Sequence, residues 1–198
     1  MVYAPCLSET FAGKCVNRTQ LLSISTKMYY LHCTKKLLDR TNQPVTVPNI
    51  ESSTVLGNWY ATALFWKPQV ALLVNEKTLL PVFMPLAPAK DLATRFPAHL
   101  ASVLAAHEIP QQFIDHELAQ MNEARYAKTS NRSVVGIINQ FEYLAEGYRE
   151  DLEANDLLWL SMMLSETPCS PLRKSARSPD RALKVLVGVE VGNKTISF

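Results

Sequence analysis

Glycine is scarce, with 6 in 198 residues, and this excludes collagen-like and other glycine-repeat architectures. Cysteine is nearly as rare. Cys6, Cys15, Cys33 and Cys169 show no C-x-x-C and no regular spacing, which argues against a disulfide framework. Charge of one sign is also missing: 20 Lys+Arg against 18 Asp+Glu leave a net +2, so bulk electrostatics makes no case for nucleic acid or a membrane. The most apolar stretch, residues 59–74, is broken by Lys67-Pro68-Gln69 and is too short to span a bilayer. Residues 1–27 are interrupted by Glu9, Lys14, Asn17, Arg18 and Gln20, where a secretory leader needs an unbroken apolar segment. A cytoplasmic protein is the expectation. The chain has no P-loop, no G-x-G-x-x-G, no G-x-S-x-G and no H-E-x-x-H. His107, Asp115, His116 and Glu117 are ligand types, but Pro110 separates the two histidines, so no metal and no cofactor is expected.

What is present is apolar residue: 47% of the chain, enough for one full core. Periodic pattern starts at Met28. Residues 28–186 read as a single α+β domain and 187–198 as a C-terminal tail. Residues 1–27 read as a poorly ordered extension or a misassigned start, the alternative being an ordered arm. A strand at 29–33 leads to a helical turn capped by Thr34, then to a polar connection over 41–53. Residues 58–84 read as three strands, the first apolar on both faces as a central strand requires. Pro81 has no amide hydrogen and places the third at an edge or a break. Beyond Pro85 the pattern is helical. Pro97 should kink or restart the first helix, and Asn131 or Ser133 starts the strongest amphipathic one. Asn155-Asp156 and Ser178-Pro179-Asp180 read as caps of two more. The expected fold is α+β: a small antiparallel meander of three to four strands against four to five helices.

Chemistry concentrates in Tyr126-Ala127-Lys128-Thr129-Ser130-Asn131-Arg132-Ser133, which runs into that amphipathic helix. A helix start carries unpaired amides and partial positive charge, so Lys128, Thr129, Asn131, Arg132 and Ser133 are candidates to hold a phosphate or carboxylate. The simpler alternative is that Ser, Thr and Asn only cap. Within the helix, Gly136 would permit close packing against a strand, and Asn139 is either solvated or held by a specific partner. Lys35 and Lys36 could extend the positive surface, or merely solubilise a turn. Asn75-Glu76-Lys77-Thr78 is by default a turn, with Asn75, Lys77 and Thr78 as further candidates. If the three segments meet, Lys35, Lys36, Lys77, Lys128 and Arg132 surround one pocket; if not, each is local capping.

Other readings are weaker. Neighbouring lysines could activate Cys33, but adjacent His32 points to the opposite strand face. Trp59, Tyr60, Phe65 and Trp66 could stack bases, yet at this density aromatics form core. Arg173, Lys174, Arg177, Arg181 and Lys184 make a basic end that could touch nucleic acid or an acidic partner, and is otherwise a solvated surface.

The motifs Leu31-His32-Cys33-Thr34-Lys35-Lys36-Leu37, Gly57-Asn58-Trp59 and Asn75-Glu76-Lys77-Thr78-Leu79, with the run 128–139 and Thr167-Pro168-Cys169-Ser170-Pro171, resemble a bacterial family, domain-of-unknown-function family 6933. The resemblance spans roughly residues 28–186, and Asn131-Arg132-Ser133 is its most specific element. The family pattern often has an acidic residue after the asparagine matching Asn139, where this chain has Gln140. The resemblance implies a compact bacterial α+β domain and brings no activity or substrate.

Two functional classes follow. One is a non-enzymatic binding or regulatory module recognising an anionic group on nucleic acid, a nucleotide or an acidic protein through Lys128, Asn131, Arg132 and Ser133. The other is an enzyme on phosphate esters or nucleic acid, with Arg132 and Lys128 stabilising charge, Asn139 orienting substrate, and Glu76 or Glu142 as base if the fold turns them towards Arg132. One half of a toxin–antitoxin pair is compatible with the size and the charge asymmetry, without a motif.

Overall fold

The computed structural model describes residues 27–149 and 157–189. A five-stranded sheet forms its centre: β1 (Met28–Cys33), β2 (Trp59–Leu64), β3 (Val70–Asn75), β4 (Pro81–Pro85) and β5 (Glu123–Lys128), in the order β4-β3-β2-β1-β5. β2, β3 and β4 form the antiparallel meander expected of residues 58–84. The rest of the sheet is different: β1 pairs parallel with β2 on one side and with β5 on the other. The sheet is therefore mixed and five-stranded, where an antiparallel one of three to four strands was expected. Local pattern misses this because the direction of β1 against β2 depends on a crossover through residues 34–58. β5 is missed because Glu-Ala-Arg-Tyr-Ala-Lys has too few apolar residues to read as a strand.

Six helices surround the sheet in the described residues, against four to five expected: α1 (Lys35–Thr41), α2 (Leu92–Ala106), α3 (Gln111–Gln120), α4 (Arg132–Glu146), α5 (Leu157–Ser165) and α6 (Pro179–Val187). One sheet face buries Tyr29, Leu31, Trp59 and Leu73 against Phe96 and Leu100 of α2, Ile114 of α3, Leu183 of α6 and Leu37 of α1. The other buries Tyr60, Leu72, Val74 and Phe83 against Ile137, Ile138 and Phe141 of α4 and Leu160 of α5. With helices on both faces, β2 is buried along its whole length, which explains its apolar residues at every position. Pro81 lies on the edge strand β4, as its missing donor requires, and the Phe83 amide on the same strand donates to Ser161 Oγ at 2.9 Å.

Pro97 falls inside α2, which continues without restarting. Its ring leaves the carbonyl of Ala93 without its helical donor, and the buried Tyr29 hydroxyl donates to that oxygen at 3.4 Å. Gly136 of α4 is exposed, and an added Cβ would meet nothing within 4 Å, so it serves no close packing. Of the aromatic set, Trp59, Tyr60 and Trp66 are buried, while Phe65 is 53% exposed beneath the Arg40 guanidinium. Asn155 and Asp156, the expected cap of α5, lie outside the described residues, as do Cys6, Cys15 and residues 1–26.

Candidate functional site

β1 and β5 are adjacent and parallel, with Cys33 level with Lys128, but the helices that follow them go to opposite faces. Leu37 of α1 joins the core on the Tyr29 face, and Val134 of α4 joins the core on the Tyr60 face. Such a reversal opens a crevice beyond the carboxyl ends of the strands, because the two chains diverge there and neither covers the gap.

A cavity of about 690 Å3 lies at this place. Cys33 from β1, Lys128 from the end of β5 and Thr129 beyond it form one part of its lining. Helix α1 contributes Lys35, Leu38 and Asp39, and Asn42, Gln43 and Val45 follow. Positions 35, 38, 39 and 42 are spaced i, i+3, i+4 and i+7, so they form one stripe of a helix. Asn42 ends α1 in the left-handed conformation, φ 50°, which a short polar side chain tolerates. The chain then returns to β5, where the Thr46 amide donates to the Tyr126 carbonyl at 2.7 Å and Val45 bridges Tyr126. Among the described residues, the side chains of Lys35, Asp39, Asn42, Gln43, Lys128 and Thr129 make no hydrogen bond or ion pair with protein. Their donors and acceptors are open to solvent or a ligand.

Cys33 sits in this lining at 1% exposure, and burial pushes its thiol up to about 12. The lysines do not activate it: the thiol stays neutral near pH 7. Tyr126 is buried on the same face, its hydroxyl without a hydrogen-bond partner among the described residues, and burial raises its pKa to about 12 as well. His32 lies on the other face, as strand alternation requires, stacked on Tyr60 at 4.6 Å, with Nδ1 3.0 Å from the Lys128 carbonyl oxygen. Among the described residues no group of three or more His, Cys, Asp or Glu is placed to hold a metal ion.

The fold brings together two of the three segments named from the sequence. Lys35 meets Lys128 and Thr129 at the cavity. Lys36 instead turns to α4, its Nζ donating to Glu142 Oε1 at 2.6 Å. Asn131 acts as the N-cap of α4, its Oδ1 accepting from the amides of Ser133 at 3.0 Å and Val134 at 3.4 Å. Its own amide donates to the Tyr60 hydroxyl, which also contacts Ser130 Oγ, so the entry to α4 is pinned to β2. Arg132, Ser133 and Asn139 are exposed and outside the cavity lining, and Arg132 makes no ion pair among the described residues. Neither proposed base turns towards it: Glu142 holds Lys36, and Glu76 accepts from Asn58 Nδ2 at 3.2 Å.

The third segment lies elsewhere. Asn75 pairs with Trp59 at the start of β2, three strand spacings from β5, about 14 Å across the sheet. It is fully buried, and its Nδ2 donates to the carbonyls of Leu56 at 3.0 Å and Asn58 at 3.4 Å. Its Oδ1 accepts from the amides of Lys77 and Thr78 and from Thr78 Oγ1. Lys77 Nζ donates to the Val55 carbonyl at 2.8 Å, packed so tightly against Gly57 (φ +81°) that a Cβ there would sit 2.9 Å from Lys77 Cε. These side chains hold the loop before β2. Sequence reasoning missed Asp39, Asn42 and Gln43, although their helical register with Lys35 was a usable signal.

The fold and the cavity define a mixed α+β protein with a crevice, lined in part by polar side chains, at the carboxyl ends of parallel strands, where its sheet changes the side on which helices follow. Residues 30–182 match the family described as Domain of unknown function (DUF6933), and the chain belongs to that family. No curated protein and no solved structure matches the chain. Among the described residues no helix is long and apolar enough to cross a membrane.

Proposed function

We propose that this protein is a binding or regulatory module that recognises an anionic group, and that the group sits in the cavity between the ends of β1 and β5. The observation that carries this reading is the pair of lysines, Lys35 and Lys128, lining one cavity beside Thr129 without a protein partner among the described residues. A phosphate or carboxylate there would receive charge-assisted hydrogen bonds from two ammonium groups and one from a hydroxyl. The volume falls in the range of small-ligand sites, and the position is where open sheets with a switch of helix side bind ligands. The α4 entrance is the poorer place for the anion, because Asn131 Oδ1 already accepts from the Ser133 and Val134 amides there.

Thermal unfolding of the full chain in inorganic phosphate and in nucleoside monophosphates tests the reading. A concentration-dependent rise in Tm is expected, since a ligand bound only to the folded state stabilises it by mass action. Lys128→Ala should remove the rise while changing the unliganded stability by less than about 0.5 kcal/mol, as exposed side chains do. A rise undiminished in both Lys128→Ala and Lys35→Ala would refute the assignment.

A further inference from the structure

The geometry points to a guanine nucleoside monophosphate as the ligand class of this cavity, an inference that rests on the anion-binding reading above. Lys35 and Asp39 stand at i and i+4 on α1, a spacing at which opposite charges commonly pair, yet they make no ion pair, and both line the cavity. Their charges thus face one space at two levels. Along a helix axis Asp39 lies about 6 Å beyond Lys35, and Asn42 about 10 Å beyond it. The lining carries both signs: two lysines and a hydroxyl from residues at or just past the strand ends, and, along and after α1, the Asp39 carboxylate and the carboxamides of Asn42 and Gln43.

A ligand matched to this arrangement has an anion at one end and hydrogen-bond donors at the other. Inorganic phosphate and an α-amino acid are too short to reach both ends; a nucleoside monophosphate reaches from phosphate to base edge. Among the common bases guanine best suits Asp39. A carboxylate only accepts, and guanine presents two adjacent donors, N1–H and the 2-amino group, which it can take in a bidentate pair. Adenine, cytosine and uracil set a single donor group beside an acceptor, which would face the carboxylate unfavourably. The carboxamides of Asn42 and Gln43 can donate to the guanine O6 or N7, and Leu38 supplies an apolar surface for the sugar or ring.

Isothermal titration of the full chain with GMP, AMP, guanosine and inorganic phosphate decides between the levels of this inference. GMP should bind at least about tenfold more tightly than AMP, the scale of one good bidentate pair. Asp39→Asn should erase that preference and leave phosphate binding in place. Lys128→Ala should weaken GMP and AMP by a similar factor. Equal affinity for GMP and AMP, or a preference that survives Asp39→Asn, overturns the guanine assignment; if phosphate binding is still lost in Lys128→Ala, the anion reading stands. If none of the four probes binds, both readings are overturned.

Discussion

At the turn after β3, Asn75 spends its whole carboxamide on five hydrogen bonds, and Lys77 reaches back to a carbonyl across Gly57. At the cavity beyond β1 and β5, Lys35, Asp39, Asn42 and Lys128 make none with protein among the described residues. Both places are built from asparagine, lysine and threonine. The difference is burial. Asn75 is at 0% exposure, where an unmet donor or acceptor is costly, so the fold must satisfy every atom. Lys35 and Lys128 are exposed, where water meets their needs and nothing forces an internal partner. A polar residue consumed by its own protein is structural, and one left open beside a cavity is available for recognition.

Substitutions on either side test that contrast. Asn75→Ala should have the largest effect, about 3 kcal/mol or more of lost stability, because it orphans the Leu56 carbonyl and the Thr78 amide in a buried place. Urea unfolding would measure it, and a loss under about 1 kcal/mol would mean that water enters the turn.

Glu117 of α3 offers a second test on the buried side. Its carboxylate accepts from the amides of Val55 at 2.8 Å and Leu56 at 3.0 Å, yet burial holds its pKa above the ordinary glutamate value. A folded state that keeps the proton longer than the unfolded one is favoured at low pH. The contribution of Glu117 should therefore be fully present below its ordinary pKa and decline as pH rises through the folded value. Glu117→Gln should remove that slope from a plot of urea midpoint against pH, whatever it does to the absolute stability. An unchanged slope would assign the carboxylate an ordinary pKa.

Smaller effects are expected on open surfaces. Gly136→Ala should stabilise the protein by about 1 kcal/mol, since the position is exposed in a helix interior with room for the methyl group. Destabilisation would reveal a contact on that side of α4. Arg132→Ala should be the mildest, within about 0.5 kcal/mol in stability, with the phosphate-dependent rise in Tm retained. Loss of that rise would return recognition to the entrance of α4.

Much of the scaffold was legible. The double-faced apolar run of β2, the placing of Pro81 at an edge or a break, and the start of α4 at Asn131 or Ser133 all depend on residues close in sequence, and the structure has β2 buried throughout, Pro81 on an edge strand and Asn131 as the cap. Strand direction was not legible. Whether β1 runs parallel to β2 depends on how residues 34–58 cross the sheet, and no local period records that. The cavity was half legible: Lys128 and Thr129 stood out as a polar run, whereas Asp39 and Asn42 look ordinary until α1 turns them to the same side as Lys35.

The class of structure follows from local pattern alone, because apolar spacing specifies which faces must be buried and capping residues specify where helices start. Which polar residues remain available is set by long-range packing. That choice depends on burial and on pairing between distant segments, such as Lys36 with Glu142 and Asn75 with Leu56, and each such pairing removes donors that would otherwise look fit for a ligand.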